Sequence, residues 1–234
     1  MLIPFSIQNR TLNRVYNNSL KNLNISQTFD VFNKQIFDLL VSLILIIITL
    51  PFLFLVSILI LIESGWPIIY MQKRSSVKNG KIFYCYKFIS MYKKVEPDIN
   101  ENQRNNEQST LLYSESKNDF RVTPFGKFLR NHSIDELPQL INVLKGEMSI
   151  VGPRPLMQSD WEAFSSSNDN ILEVEQRSKI KPGITGLWQV SRKSSSSFSE
   201  MVKYDLFYFY NHSILLDIKI ILQTIPIVLF GRGN

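Results

Sequence analysis

The chain has 234 residues and carries 26 Lys and Arg against 20 Asp and Glu, for a net charge of +6 and a pI near 9.3. That balance favours an anionic lipid surface or a phosphorylated substrate, and the length leaves one moderate domain beside any membrane segment. A single cysteine, Cys85, excludes an intrachain disulfide, two histidines make a zinc centre a poor expectation, and no zinc spacing, RNA-binding signature or basic helix points to nucleic acid.

Residues 1–33 are rich in Asn, Ser and Thr and read as a loosely ordered arm or short surface helix. They do not read as a secretory signal, because the apolar run starts late and has no small-residue cleavage pattern. From Leu39 to Ile62 the chain is apolar and uncharged, bounded by Asp38 and Glu63. About 20 apolar residues suffice to cross a bilayer core, so residues 34–64 are expected to form a membrane helix rather than a buried core helix. Pro51 removes a backbone donor near its middle and predicts a kink or break. Basic residues flank both ends: Arg10, Arg14, Lys21 and Lys34 before it, Lys73, Arg74, Lys78 and Lys81 after it. Because such residues favour the cytoplasmic side, a re-entrant helix and a bent span both remain open.

Gly65-Trp66-Pro67 ends the run. Strands are expected over Ile68–Met71 and Lys81–Phe88, joined at Asn79-Gly80, with Phe83 and Cys85 on one face. Polar residues dominate 94–120, which read as a flexible loop, either a solvated linker or a lid. Helical spacing resumes at Phe125, Phe128 and Leu129.

The chemistry concentrates between Arg130 and Pro155. Pro138 fits only a first helical turn, which sets a helix start near Asp135. A helix N-terminus keeps a carboxylate ionised, as a nucleophile or metal ligand requires. The competing structural reading is a capping box, Ser133-x-x-Glu136. Arg130 lies about a turn earlier, and Arg154, held between Pro153 and Pro155, suits a phosphate. Residues 156–181 read as a polar helical region with a Ser-rich loop, Lys181–Gly186 as turns, Trp188–Val190 as a strand, and Arg192–Ser197 as a flexible basic loop. Phe198–Leu229 is expected to be helical, broken at Pro226, and either interfacial or an ordinary core helix. Asp205 and Asp217 stand out as acids among apolar neighbours.

These motifs, in this order, resemble the bacterial sugar transferase family, the monotopic phosphoglycosyl transferases. The similarity rests on Ile36-Phe37-Asp38, Gln72-Lys73-Arg74, Tyr86-Lys87-Phe88 and Phe125-Gly126-Lys127-Phe128-Leu129-Arg130. It continues through Ser133-Ile134-Asp135-Glu136-Leu137-Pro138-Gln139, Lys145-Gly146-Glu147-Met148-Ser149, Gly152-Pro153-Arg154-Pro155, Lys181–Gly186 and Leu215–Lys219. The resemblance implies an α+β, mostly helical fold with a small β-hairpin and interfacial amphipathic helices. A re-entrant helix broken at Pro51 would hold a catalytic domain (65–234) on the cytoplasmic face of the bacterial inner membrane. It implies transfer of a sugar phosphate from a UDP-sugar to a polyprenyl (undecaprenyl) phosphate with release of UMP, which starts lipid-linked glycan synthesis. It implies Asp135 as nucleophile, Glu136 as its partner in a Mg²⁺ and acid–base shell, and Lys87, Arg130, Arg154, Arg192 and Asp217 as phosphate or nucleotide site residues. A homo-oligomer and contact with downstream glycosyltransferases fit the same picture. Three departures stand against it: Leu50 where the family has serine before the proline, Ile89 in place of an arginine, and Ser75-Ser76 in place of Pro-Gly. They keep a second expectation in view, a catalytically silent membrane adaptor.

Overall fold

A computed structural model of the protein describes residues 27–75, 82–92, 121–157, 177, 180–191 and 198–231. The expectations for residues 1–26 of the N-terminal arm, the Asn79-Gly80 turn, the 94–120 loop and the Arg192–Ser197 loop therefore lie outside the described residues, as does most of 156–181, whereas residues 27–33, expected in the arm, already belong to the long helix.

Helix α1 spans Gln27–Ser64, with Pro51 inside it. The proline does not divide it into two elements. Around it, hydroxyls donate to carbonyls of the preceding turn: Thr49 to Leu45 and Ser57 to Leu53, each at 2.7 Å. Such back-bonding satisfies carbonyls in an apolar setting and bends helices. Thr49 thus supplies a hydroxyl beside the proline, although Leu50 occupies the position where serine was expected.

Both ends of α1 are tied to the same domain. Asp38 near its start accepts from the Ile150 N–H at 3.1 Å and from the Ser149 hydroxyl at 2.6 Å. Glu63 at its end accepts from the Phe125 N–H at 3.1 Å. Val56 and Ile60 are 1% exposed and pack with Phe88, Leu129 and Ile134. Burying two such side chains contributes roughly 1.5–3 kcal/mol each to docking. The opposite face, including Leu43, Ile47, Leu50 and Phe54, is apolar and exposed.

Strands β1 (Ile69–Ser75) and β2 (Ile82–Phe88) pair antiparallel, with Ile69 opposite Phe88 and Ser75 opposite Ile82. The two-residue period of β2 turns Phe83, Cys85 and Lys87 to one face, and Phe83 and Cys85 are buried there as expected. Helix α2 (Pro124–Asn131) starts at Thr123, whose side chain accepts from the Gly126 N–H. A 3-10 helix (Ile134–Gln139) and the short helix α3 (Leu140–Leu144) follow.

Strands β3 (Ser149–Val151) and β4 (Gly183–Thr185) form a parallel pair, so part of Lys181–Gly186 is a strand where turns were expected. Gly152 and Gly183 face each other so closely that a Cβ on either would collide with the other's backbone. Trp188-Gln189-Val190 is not a strand but part of helix α4 (Leu187–Ser191). The Val190 N–H bonds the Gly186 carbonyl, and Leu187, Trp188 and Val190 are all buried, which no alternating strand would allow.

Helices α5 (Phe198–Asn211) and α6 (Ile214–Phe230) complete the chain, and α6 continues through Pro226 where a break was expected. One missing donor is tolerated because the flanking turns keep their bonds. The exposed face of α6 is apolar (Leu215, Ile218, Leu222, Ile225, Leu229), while its buried face carries Asp217 and Ile220. A core helix has the reverse polarity.

Candidate active site

Lys87 sits on the inward face of β2, and its Nζ lies 2.7 Å from Glu136 Oε1. The strand is held at that height by Asn142, fully buried in α3. Its amide accepts from the Tyr86 N–H at 3.1 Å and donates to the Tyr84 carbonyl at 2.7 Å, standing in for a neighbouring strand.

The acidic pair occupies the first turn of the 3-10 helix. Ile134 and Pro138 are buried and clamp it from both sides, and Asp135 is 8% exposed. Ser133 just before it has φ 55°, a left-handed conformation that a residue with a side chain rarely adopts. It makes no side-chain cap bond, so the capping-box reading of Ser133-x-x-Glu136 is corrected. The helix-dipole argument loses force as well, since this element is a six-residue 3-10 helix rather than a full α-helix. The charge near the acids comes instead from side chains.

Arg154 supplies part of it, with Nη1 3.8 Å from Glu136 Oε1. Its loop is fixed from behind. The Gly152 N–H bonds the Thr185 carbonyl at 2.9 Å, and the Gly183 N–H bonds the Pro153 carbonyl at 2.8 Å. Arg177, fully buried, donates to the Arg154 carbonyl and to Asp205 Oδ2, both at 2.8 Å. Burial pushes the Asp205 carboxyl up, opposed by the Arg177 charge. Arg74 reaches the same place from β1, donating to the Pro155 carbonyl at 3.2 Å and to Gln72 at 2.7 Å.

Arg74, Lys87, Glu136, Gln139 and Arg154 line one pocket. Lys87 and Arg154 face the Glu136 carboxylate and Arg74 adds a third cation to the lining, an excess of positive charge suited to a phosphorylated ligand. Cys85 also lines it, but burial pushes the thiol up to about 11, so it is protonated and inert at neutral pH.

The sequence model of one protein family, bacterial sugar transferase, matches residues 29–231. The chain belongs to the bacterial sugar transferase family. It is 36% identical over 205 residues to the exopolysaccharide production protein ExoY of Sinorhizobium fredii, covering 86% of this chain and 88% of that protein. It is 45% identical over 172 residues to the galactosyl transferase CpsE of Streptococcus agalactiae (73% of this chain, 36% of CpsE). It is 36% identical over 213 residues to the undecaprenyl-phosphate galactose phosphotransferase of Salmonella typhimurium (90% of this chain, 43% of that enzyme). This sugar transferase thus spans less than half of the latter two relatives and nearly all of the first.

Of the residues singled out in the sequence, the structure brings Lys87, Glu136 and Arg154 together around one pocket, with Asp135 buried beside them in the chain. Arg130 donates from Nε to the Ser90 hydroxyl at 2.8 Å and is not on the pocket wall. Arg192 lies outside the described residues. Asp217 sits in a different cluster: its Oδ2 is 2.9 Å from Lys34 Nζ, and Oδ1 accepts from the Tyr208 hydroxyl at 2.7 Å. Lys34 also pairs with Asp38 at 2.9 Å. Burial pushes the Asp217 carboxyl up, opposed first by Lys34. The cluster joins α1, β3, α5 and α6.

Arg74, Asn142 and Arg177 were not named as site residues from the sequence. Asn142 gave a signal, a polar residue inside Leu140-Ile141-Asn142-Val143-Leu144. Arg177 gave none, because its partners come from distant segments. Among the described residues no three His, Cys, Asp or Glu side chains gather as a metal cage.

Proposed function

We propose that this sugar transferase moves a sugar 1-phosphate from a UDP-sugar to a polyprenyl phosphate, releasing UMP, by way of a covalent intermediate on Asp135. The observation that carries the reading is the cationic pocket beside the Asp135-Glu136 pair. A pyrophosphate donor needs its charge neutralised while a bond at phosphorus breaks, and Lys87, Arg154 and Arg74 are placed for that. An Asp135 carboxylate oxygen attacks the sugar-linked phosphorus, the bond to the UMP oxygen breaks, and UMP leaves with its electron pair. A phosphate oxygen of the acceptor then attacks the same phosphorus and Asp135 is released as a carboxylate. Splitting the transfer in this way lets a soluble donor and a lipid acceptor use the site in turn.

Mg²⁺ prefers oxygen ligands and commonly takes one or two carboxylates plus substrate phosphates. Asp135 and Glu136 would hold it, and when bound it would offset charge on the donor phosphates. Glu136, held by Lys87 and Arg154, keeps its carboxylate oriented toward the pocket.

The setting at the membrane follows from α1. Asp38 and Glu63 are separated by about 37 Å of straight helix, more than the ~30 Å of a bilayer core. Both are bonded to one domain, which supports a helix that enters and leaves on the same side, and the basic flanks support the cytoplasmic face of the inner membrane. The exposed apolar face of α6 supports an interfacial position for that helix. The adaptor reading loses weight because Ile89 packs with the Val56 and Phe88 cluster rather than on the pocket wall. The test is UMP release from a panel beginning with UDP-galactose and UDP-glucose, with undecaprenyl phosphate as acceptor. No release from any sugar nucleotide, by folded protein in membrane mimetics, would favour the adaptor.

A further inference from the structure

Glu136, Ile184 and Gln189 line a second compartment as well as the cationic pocket. This one is a cavity of about 610 Å³, walled by α1 (Leu45, Thr49, Phe52), the Leu137–Leu140 turn, and α6 from Ile221 to Leu229. Apart from Glu136, His132 and a few hydroxyl and amide groups its lining is apolar. The Thr185 and Thr224 hydroxyls bond each other at 2.7 Å, which removes two polar groups from the wall.

We infer that this cavity binds the first isoprene units of the acceptor's polyprenyl tail and so delivers its phosphate to Glu136 from the membrane side; the inference rests on the transferase reading above. The argument is one of continuity and polarity. A ligand filling the cavity and touching both compartments must have an apolar body and an anionic head, the head lying where Lys87 and Arg154 concentrate positive charge. The two walls, α1 and α6, are the elements whose outer faces are apolar and exposed, so the tail continues from the cavity into hydrocarbon without crossing water. The volume falls in the ~300–1,000 Å³ range of pockets that enclose most of a small ligand, enough for the head-proximal part of a long chain and no more. The donor then enters from the opposite, cationic side, and the two substrates meet at the acidic pair without sharing a path.

The experiment combines labelling with kinetics. A polyprenyl phosphate carrying a diazirine on its second isoprene unit is photolysed with the full chain in nanodiscs, and the adduct is mapped by peptide mass spectrometry. Label on α6 between Ile221 and Leu229 or on Leu45–Phe52, competed by undecaprenyl phosphate but not by excess phosphatidylglycerol, is the expected result. Label elsewhere, or equal competition by the ordinary lipid, overturns the assignment. In parallel, Ile225→Trp and Val228→Trp, both on the cavity lining, should raise the KM for undecaprenyl phosphate about tenfold or more, as loss of part of an apolar ligand contact does. Leu215→Trp, exposed on α6 but outside the cavity lining, should leave it unchanged. An unaltered KM in both filling variants also overturns the inference. Correct labelling of a protein that releases no UMP would instead sink the transferase reading while the lipid site stood.

Discussion

At the residue scale, the account divides the pocket's side chains by role, and each role has its own signature in a variant. Lys87 makes a charge-assisted bond to Glu136 and faces the donor phosphates, so Lys87→Met should lower kcat/KM for the UDP-sugar about a hundredfold. Unchanged donor kinetics would remove it from the site. Cys85 touches the same pocket with a thiol held protonated by burial. Cys85→Ala should therefore retain UMP release and resist nothing more than a modest loss of stability, about 1 kcal/mol, read from thermal unfolding. Loss of activity without loss of fold would assign the thiol a chemical part that its burial denies it. The acidic pair and Arg154 were readable from the sequence because their neighbours are local: a proline that fixes a turn, and two prolines around one arginine. The conformation of the turn was not readable. Ser133 adopts a left-handed backbone and leaves its side chain out of any cap, a conformation that residues with a side chain rarely take and that no local sequence signal announces.

At the scale of elements, two buried polar ties set where the pocket's walls stand. Asn142 replaces a missing strand beside β2. Asn142→Leu should cost about 1 kcal/mol, because it leaves the part-buried Tyr86 N–H and Tyr84 carbonyl without that partner. Denaturant midpoints would show it, and a change within error would mean that water or a backbone shift satisfies both groups. The Lys34, Asp38 and Asp217 cluster ties the start of α1 to β3 and α6. Asp217→Ala leaves Lys34 paired with Asp38 but takes a buried acceptor from the Tyr208 hydroxyl, so it should destabilise by roughly 1–2 kcal/mol. If Asp217 instead served the donor, KM for the UDP-sugar would rise while stability held. Motif position placed Asp217 near the substrate; its contacts place it in this clasp. No local pattern shows that Ser149 and Asp38, 111 residues apart, share a hydrogen bond. The same holds for the β3–β4 pair and for α4, whose Trp188–Val190 stretch has a strand-like composition although Leu187, Trp188 and Val190 are buried together on a helix.

At the scale of the whole molecule, the long apolar helix, the hairpin and the helical remainder were legible because hydrophobic run length and turn chemistry are strong signals. How α1 meets the membrane was left open by charge alone, and the re-entrant reading proposed above rests on the contacts of Asp38 and Glu63. Single cysteines at Gln35 and Ser64, in a Cys85→Ala background, should both react from the cytoplasmic side of oriented vesicles. Opposite accessibilities would mean that α1 spans the bilayer and that the domain contacts at one end are not made in the membrane.

The central claim is that the Asp135 carboxylate becomes bonded to phosphorus. Intact-mass and peptide analysis of the protein after brief exposure to a UDP-sugar, with Mg²⁺ and without acceptor, tests it most directly. The account predicts a phosphosugar adduct on the peptide containing Asp135, formed with UMP release, discharged by undecaprenyl phosphate and absent from Asp135→Asn, whose turnover falls at least about a thousandfold. Product formation at the normal rate by Asp135→Asn, or an adduct on another side chain, would contradict it.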